Sequence, residues 1–98
     1  MKITTSQNGT SLTVALEGRL DTTTSPELEA KLSESLSGIT DLTIDLGSLE
    51  YISSAGLRVL LATHKKMMAK GKMTVVNVND TVSEIFSITG FSGILNIE

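Results

Sequence analysis

The sequence predicts a single α/β domain: a mostly parallel sheet with an N-terminal hairpin, elements in the order ββαβαβαβ, and helices on one face. Three observations carry that expectation. Segments of alternating polarity are interleaved with segments whose apolar residues recur every three or four positions, as strands and helices do. Asn8-Gly9 separates the first two strands, and that dipeptide suits a tight hairpin turn. Thr43, Asp45 and Asn77 interrupt strands that would read as continuous apolar runs if the sheet were covered on both faces. With 98 residues and 40% of them apolar, the chain suits one core, and the expected domain spans residues 1–98.

The elements follow in order. Ile3 to Gln7 pairs as a hairpin with a strand in which Leu12, Val14 and Leu16 alternate with Thr13, Ala15 and Glu17. Ser25-Pro26-Glu27 reads as a helix start, with Ser25 as the cap and Pro26 in the first turn. Leu28, Leu32 and Leu36 give that helix its buried stripe, and Gly38 ends it. Leu42, Ile44 and Leu46 form the third strand. After a short link, a second helix is expected from Ser54 to about Lys70, with Leu57, Leu60, Leu61, His64, Met67 and Met68 along one broad side and Gly71 closing it. Met73 to Val78 is the fourth strand. Thr81-Val82-Ser83-Glu84 has the spacing of a capping box for a third helix that stops at Gly90, and Ile94 to Ile97 is a last short strand.

Composition excludes several functions. No apolar run approaches the ~20 residues of a membrane span, and Met1 to Thr5 lacks the core of a signal peptide, so a cytoplasmic protein with no membrane partner is expected. There is no cysteine and one histidine, His64, which removes thiolate chemistry and clustered-histidine metal sites. A net charge of −3 and few aromatic residues argue against nucleic-acid binding. Gly71-Lys72 lacks the rest of a phosphate-binding loop, and neither Ser53 nor Ser54 has a glycine two residues before it, so no nucleophile elbow is present. A hydrolase built on either serine and His64 has no recognisable triad. The expectation is a protein without metal, cofactor or catalytic residues. His64 packs, Met67, Met68 and Met73 fill the core, and Lys65, Lys66, Lys70 and Lys72 form a solvated helix end.

The informative stretch runs from Asp45 to Leu60, a strand, a link and a helix start. In parallel sheets the strand ends and helix starts meet at one rim, where ligands and partners dock. Ser54 falls at or next to the helix cap. Gly56 in the first turn lowers helix propensity by roughly 1 kcal/mol relative to alanine, for which close backbone approach by a partner is one reason. Taken locally, a serine before a helix is most often only a cap.

The run Asp45-Leu46-Gly47-Ser48-Leu49-Glu50-Tyr51-Ile52-Ser53-Ser54-Ala55-Gly56-Leu57 resembles the signature of STAS domains, specifically bacterial anti-sigma factor antagonists. Gly18-Arg19-Leu20-Asp21 and Thr89-Gly90-Phe91 add to it. The resemblance implies a binding protein rather than an enzyme. Its unphosphorylated form would bind an anti-sigma factor that is also a serine kinase, and so release the sigma factor. Phosphorylation, mapped onto Ser54, would switch binding off, and a serine phosphatase would reset it. Many members carry an acidic residue where this chain has Ser53, so Ser53 stands as the alternative site. The implied partner surface comprises Asp21, Glu50, Ser53, Ser54, Ala55 and Gly56, on a chain that is monomeric when free. Asp21 reads equally as a turn residue. The alternative within the family is a constitutive scaffold or transporter-associated subunit that is never phosphorylated.

Overall fold

The computed structural model describes residues 1–98. Strands β1 (Lys2–Asn8) and β2 (Ser11–Leu20) form the hairpin. Helix α1 (Ser25–Ser35), strand β3 (Asp41–Ile52), helix α2 (Ser54–Met68), strand β4 (Lys72–Val76) and helix α3 (Asp80–Thr89) follow, then a 3-10 turn at Phe91–Gly93. The sheet order is β1-β2-β3-β4, antiparallel at β1/β2 and parallel thereafter. Parallel strands that advance one way through a sheet, joined by right-handed crossovers, keep their helices on one face. Accordingly, the buried side chains of all three helices join one cluster with Val14, Leu16, Ile44, Leu46 and Val75 of the strands.

The polar residues of the uncovered face find partners there. Asp45 Oδ1 accepts from the Gly47 N–H at 2.9 Å and from Asn77 Nδ2 at 3.1 Å. Asn77 has φ 58°, so the chain turns out of β4 at Val76, two residues before the expected end at Val78. The expected last strand shrinks to a single parallel bridge between Val75 and Ile97. Asn96 Nδ2 donates to Thr74 Oγ1 at 3.3 Å, and this terminal segment covers Thr74.

Four local expectations are corrected. The hairpin loop is Gly9-Thr10, with Asn8 paired to Ser11, so the positive φ falls on Gly9 alone at 63°. Helix α1 begins at Ser25 with Thr24 at the cap position. Ser25 is not the cap, because its N–H and hydroxyl both donate to the Asp21 carbonyl. Helix α3 is capped by Asn79, whose Oδ1 accepts from the Val82 N–H at 2.9 Å, two residues before the expected box. Met68 is 68% exposed rather than buried, since it lies about 100° around the helix from fully buried Met67.

Strand β3 departs most from expectation. It runs through the presumed link to Ile52, with two bulges against β2. Ala15 pairs with Asp45 but Glu17 with Ser48, and Gly18 pairs with Leu49 but Arg19 with Tyr51. Each bulge adds one residue to β3, so the buried positions after Leu46 are Leu49 and Ile52, spaced by three rather than two.

Candidate functional site

The bulged half of β3 delivers the chain to the rim. Ser53 N–H donates to the Leu20 carbonyl at 2.8 Å, which continues the β2/β3 pairing up to the first residue before α2. Ser53 then has extended backbone (φ −93°, ψ 173°), and its Oγ accepts from the Gly56 N–H at 3.3 Å. Ser53 is therefore the cap of α2, and Ser54, expected at or next to the cap, is the residue next to it. A cap needs a backbone outside the helix and a side chain folded over the first turn. Ser54 is already helical, at the first position, and exposed. Its N–H and that of Ala55 have no acceptor within the helix.

Gly56 does not face outward. A Cβ placed on it would lie 2.7 Å from Leu20 Cγ, 2.9 Å from Leu20 Cδ2 and 3.0 Å from Ile52 Cγ1. Leu20 and Ile52 are fully buried ends of β2 and β3. The close approach that the sequence suggested is thus internal. The missing side chain lets the α2 N-terminus sit directly on the sheet, which fixes the height of Ser54 above the rim. Gly56 is buried, and its lack of a side chain serves packing.

Asp21 organises the turn between β2 and α1. Its Oδ1 accepts from Thr23 N–H at 3.0 Å, Thr24 N–H at 3.1 Å and Thr24 Oγ1 at 3.2 Å. The Thr24 hydroxyl in turn lies 2.8 Å from the Arg19 carbonyl, and the Asp21 N–H donates back to Thr24 Oγ1 at 2.9 Å. The Thr24 N–H first, then the other donors, holds the Asp21 carboxyl below its ordinary range against a smaller opposing desolvation. The turn reading of Asp21 is realised, and because these bonds all fall on Oδ1, Oδ2 is not spent on the turn.

Glu50 is the extra residue of the second bulge and is exposed. Beside it, the Arg19 guanidinium lies over the Tyr51 ring, 4.5 Å from its centroid. Asn79 ties α3 to the same segment, because its Nδ2 donates to the Leu49 carbonyl. The rim thus presents Asp21, Glu50, Ser53, Ser54 and half-buried Ala55 from three elements. Sequence reasoning passed over Arg58, which lies one turn beyond Ser54 and borders a groove of about 390 Å³ between α1 and α2. Its spacing of four from Ser54 was the available signal.

The remaining singled-out residues lie elsewhere. His64 is half-buried on α2, ten residues and so about 15 Å along the helix from Ser54. Lys70 reaches across to donate from Nζ to the Leu36 carbonyl, at the C-terminus of α1. No group of three or more His, Asp or Glu side chains is assembled as a metal site, and no helix is long and apolar enough to cross a membrane.

The domain is a two-layer α/β sandwich, one sheet and one layer of helices, with an exposed serine at a helix start on the strand-end rim. Residues 2–98 match the STAS domain model, and the chain belongs to that family. It is 34% identical over 99 residues to BtrV of Bordetella bronchiseptica, spanning 99% of this chain and 85% of that one. It is 30% identical over 86 residues to the anti-sigma-B factor antagonist of Staphylococcus aureus, spanning 86% and 80%. Among solved structures, an anti-sigma factor antagonist from Mycobacterium paratuberculosis superposes with a TM-score of 0.88 at 24% identity, over 98% of this chain and 83% of that one. The Bacillus cell fate determinant SpoIIAA, in its phosphorylated form, superposes with a TM-score of 0.76 at 18% identity, over 99% and 91%.

Proposed function

We propose that this chain is an anti-sigma factor antagonist, a regulatory binding protein rather than an enzyme, switched by phosphorylation of Ser54. The carrying observation is the division of labour between two adjacent hydroxyls. Ser53 is spent on the cap, whereas Ser54 is exposed at the first helical position. A kinase partner would supply the chemistry. Ser54 Oγ attacks the γ-phosphorus of ATP, ADP leaves, and the hydroxyl proton is lost. The product places a charge of ~−1.5 to −2 at a helix N-terminus, where free N–H groups and the helix dipole favour it. The fold therefore tolerates the modification, and the effect falls on the interface formed by Asp21, Glu50, Ser53, Ser54 and Ala55. There, a phosphate that loses water without gaining cationic partners weakens docking.

The relatives support this reading by name, being called anti-sigma factor antagonists. The partner is then an anti-sigma factor with serine kinase activity, met by a free monomer in the cytoplasm, and a serine phosphatase restores the unmodified state. A constitutive scaffold is the second reading, favoured by Ser53 in the place where many members have an acidic residue. Incubation with candidate serine-kinase anti-sigma factors and ATP, followed by peptide mass spectrometry, separates the two. One phosphate on Ser54 supports the switch. Phosphate retained by a Ser54→Ala chain but lost from Ser53→Ala overturns the site assignment.

A further inference from the structure

We propose that Arg58 is the internal counter-ion of phosphate on Ser54, so that one modification changes both charges at the α2 end of the rim. The inference rests on the reading of Ser54 as the phosphorylated residue. Both residues lie in α2, which runs unbroken from Ser54 to Met68, and both are exposed. At a spacing of four their Cβ atoms are neighbours, about 5–6 Å apart. Helical side chains lean toward the N-terminus, so the patch covered by Arg58 is the turn that holds Ser54. The order also suits attraction, with the anion N-terminal to the cation.

Arg58 is available for this role. The one ion pair in the structure joins Lys31 to Glu34. The first turn of α2 has no acidic residue, and its other basic residues, Lys65 and Lys66, lie in its last turn. Carboxylates facing this end come from other elements. Asp21 Oδ1 is engaged by Thr23 and Thr24, Glu50 stands on the bulge of β3, and Glu29 of α1 borders the groove opposite Arg58. A phosphate dianion outcompetes Glu29 through charge and through paired N–H···O bonds from the guanidinium plane. In the unmodified chain Arg58 overlooks a groove lined by Ser25, Pro26, Ala55 and Val59. In the phosphorylated chain it is drawn back over Ser54, so a partner loses a cation as well as meeting a phosphate.

The test installs phosphoserine at position 54 by genetic encoding, without a kinase, in the full chain and in its Arg58→Lys and Arg58→Ala variants. Phosphorus NMR then follows the second ionisation of the phosphate against pH, with circular dichroism to verify equal folding. The second pKa should be lowest with arginine, intermediate with lysine and highest with alanine. The spread should be ~0.3–0.7 unit, a two- to fivefold change in proton affinity, and should shrink in high salt. The Arg58 Nε–H resonance should titrate with the phosphate. Coincident titrations of the parent and Arg58→Ala chains, with an unresponsive Nε–H, would overturn the proposal. That failure is distinct from failure of the Ser54 reading, which shows as a kinase reaction leaving Ser54 unmodified.

Discussion

Gly56→Ala tests how α2 is seated. The added methyl would meet Leu20 Cγ at 2.7 Å and Ile52 Cγ1 at 3.0 Å, and neither side chain has exposed surface into which to swing. Leu20 Cγ is the branch point of its side chain, so relief requires a rotamer change in the core or a lift of the helix. Overpacking of this kind costs ~1–3 kcal/mol. Alanine returns up to ~1 kcal/mol of helix propensity, less in the first turn than in the interior. A net loss of ~1–2 kcal/mol corresponds to a fall in Tm of about 5–15 °C for a domain of this size. Urea unfolding followed by circular dichroism gives the value directly, as a lower midpoint at unchanged slope. Trimming the obstacle provides a second check: in a Leu20→Ala background the same substitution should cost measurably less. A Gly56→Ala chain as stable as the parent, or more stable, would refute the packing argument, because an open helical glycine gains from alanine.

Further predictions concern the hydroxyls and the turn. Ser53→Ala should destabilise the fold by about 1 kcal/mol through loss of the α2 cap, whereas Ser54→Ala should fall within about 0.5 kcal/mol of the parent. Equal chemical-denaturation midpoints for the two variants would remove the distinction between capping and modifiable serines. Asp21→Asn should lower Tm at neutral pH, because the carboxylate receives two backbone N–H groups in the turn. Since folding lowers this carboxyl's pKa, its contribution is complete above the ordinary Asp value of ~3.9 and disappears as pH falls through the folded value. Thermal melts of the two chains should therefore converge in acid, and a difference that persists unchanged at all pH values would assign it to shape rather than charge.

Most of the fold was legible because α1, α2 and the first half of β3 each keep one period over several residues. The second half of β3 was not, because two bulges convert the buried spacing from two to three at Leu46, Leu49 and Ile52. That pattern matches neither a regular strand nor a helix. The caps of α1 and α3 were displaced by one and two residues for a related reason, whereas α2 begins at Ser54 as expected. Ser, Thr and Asn recur before α1, α2 and α3, and only tertiary contacts decide between them. Ser53 is fixed by its bond to the Leu20 carbonyl and Asn79 by its bond to the Leu49 carbonyl. Gly56 was flagged by propensity, but the residue that fills its missing volume is Leu20, 36 positions earlier in the chain and invisible to any local rule.

The central claim is that phosphate on Ser54 acts at the interface and leaves the fold intact. Calorimetry on unmodified and phosphorylated chains measures both halves, with Tm from thermal scans and partner affinity from titration with the cognate anti-sigma factor. Nearly equal Tm values are predicted, since charge at this helix end is favoured by ~0.3–1 kcal/mol. Partner affinity is predicted to fall at least tenfold, or ~1.4 kcal/mol. Equal affinity before and after modification would contradict the switch and favour the constitutive scaffold. A phosphorylated chain that has lost several kcal/mol of stability, on the order of its whole margin, would contradict the interface.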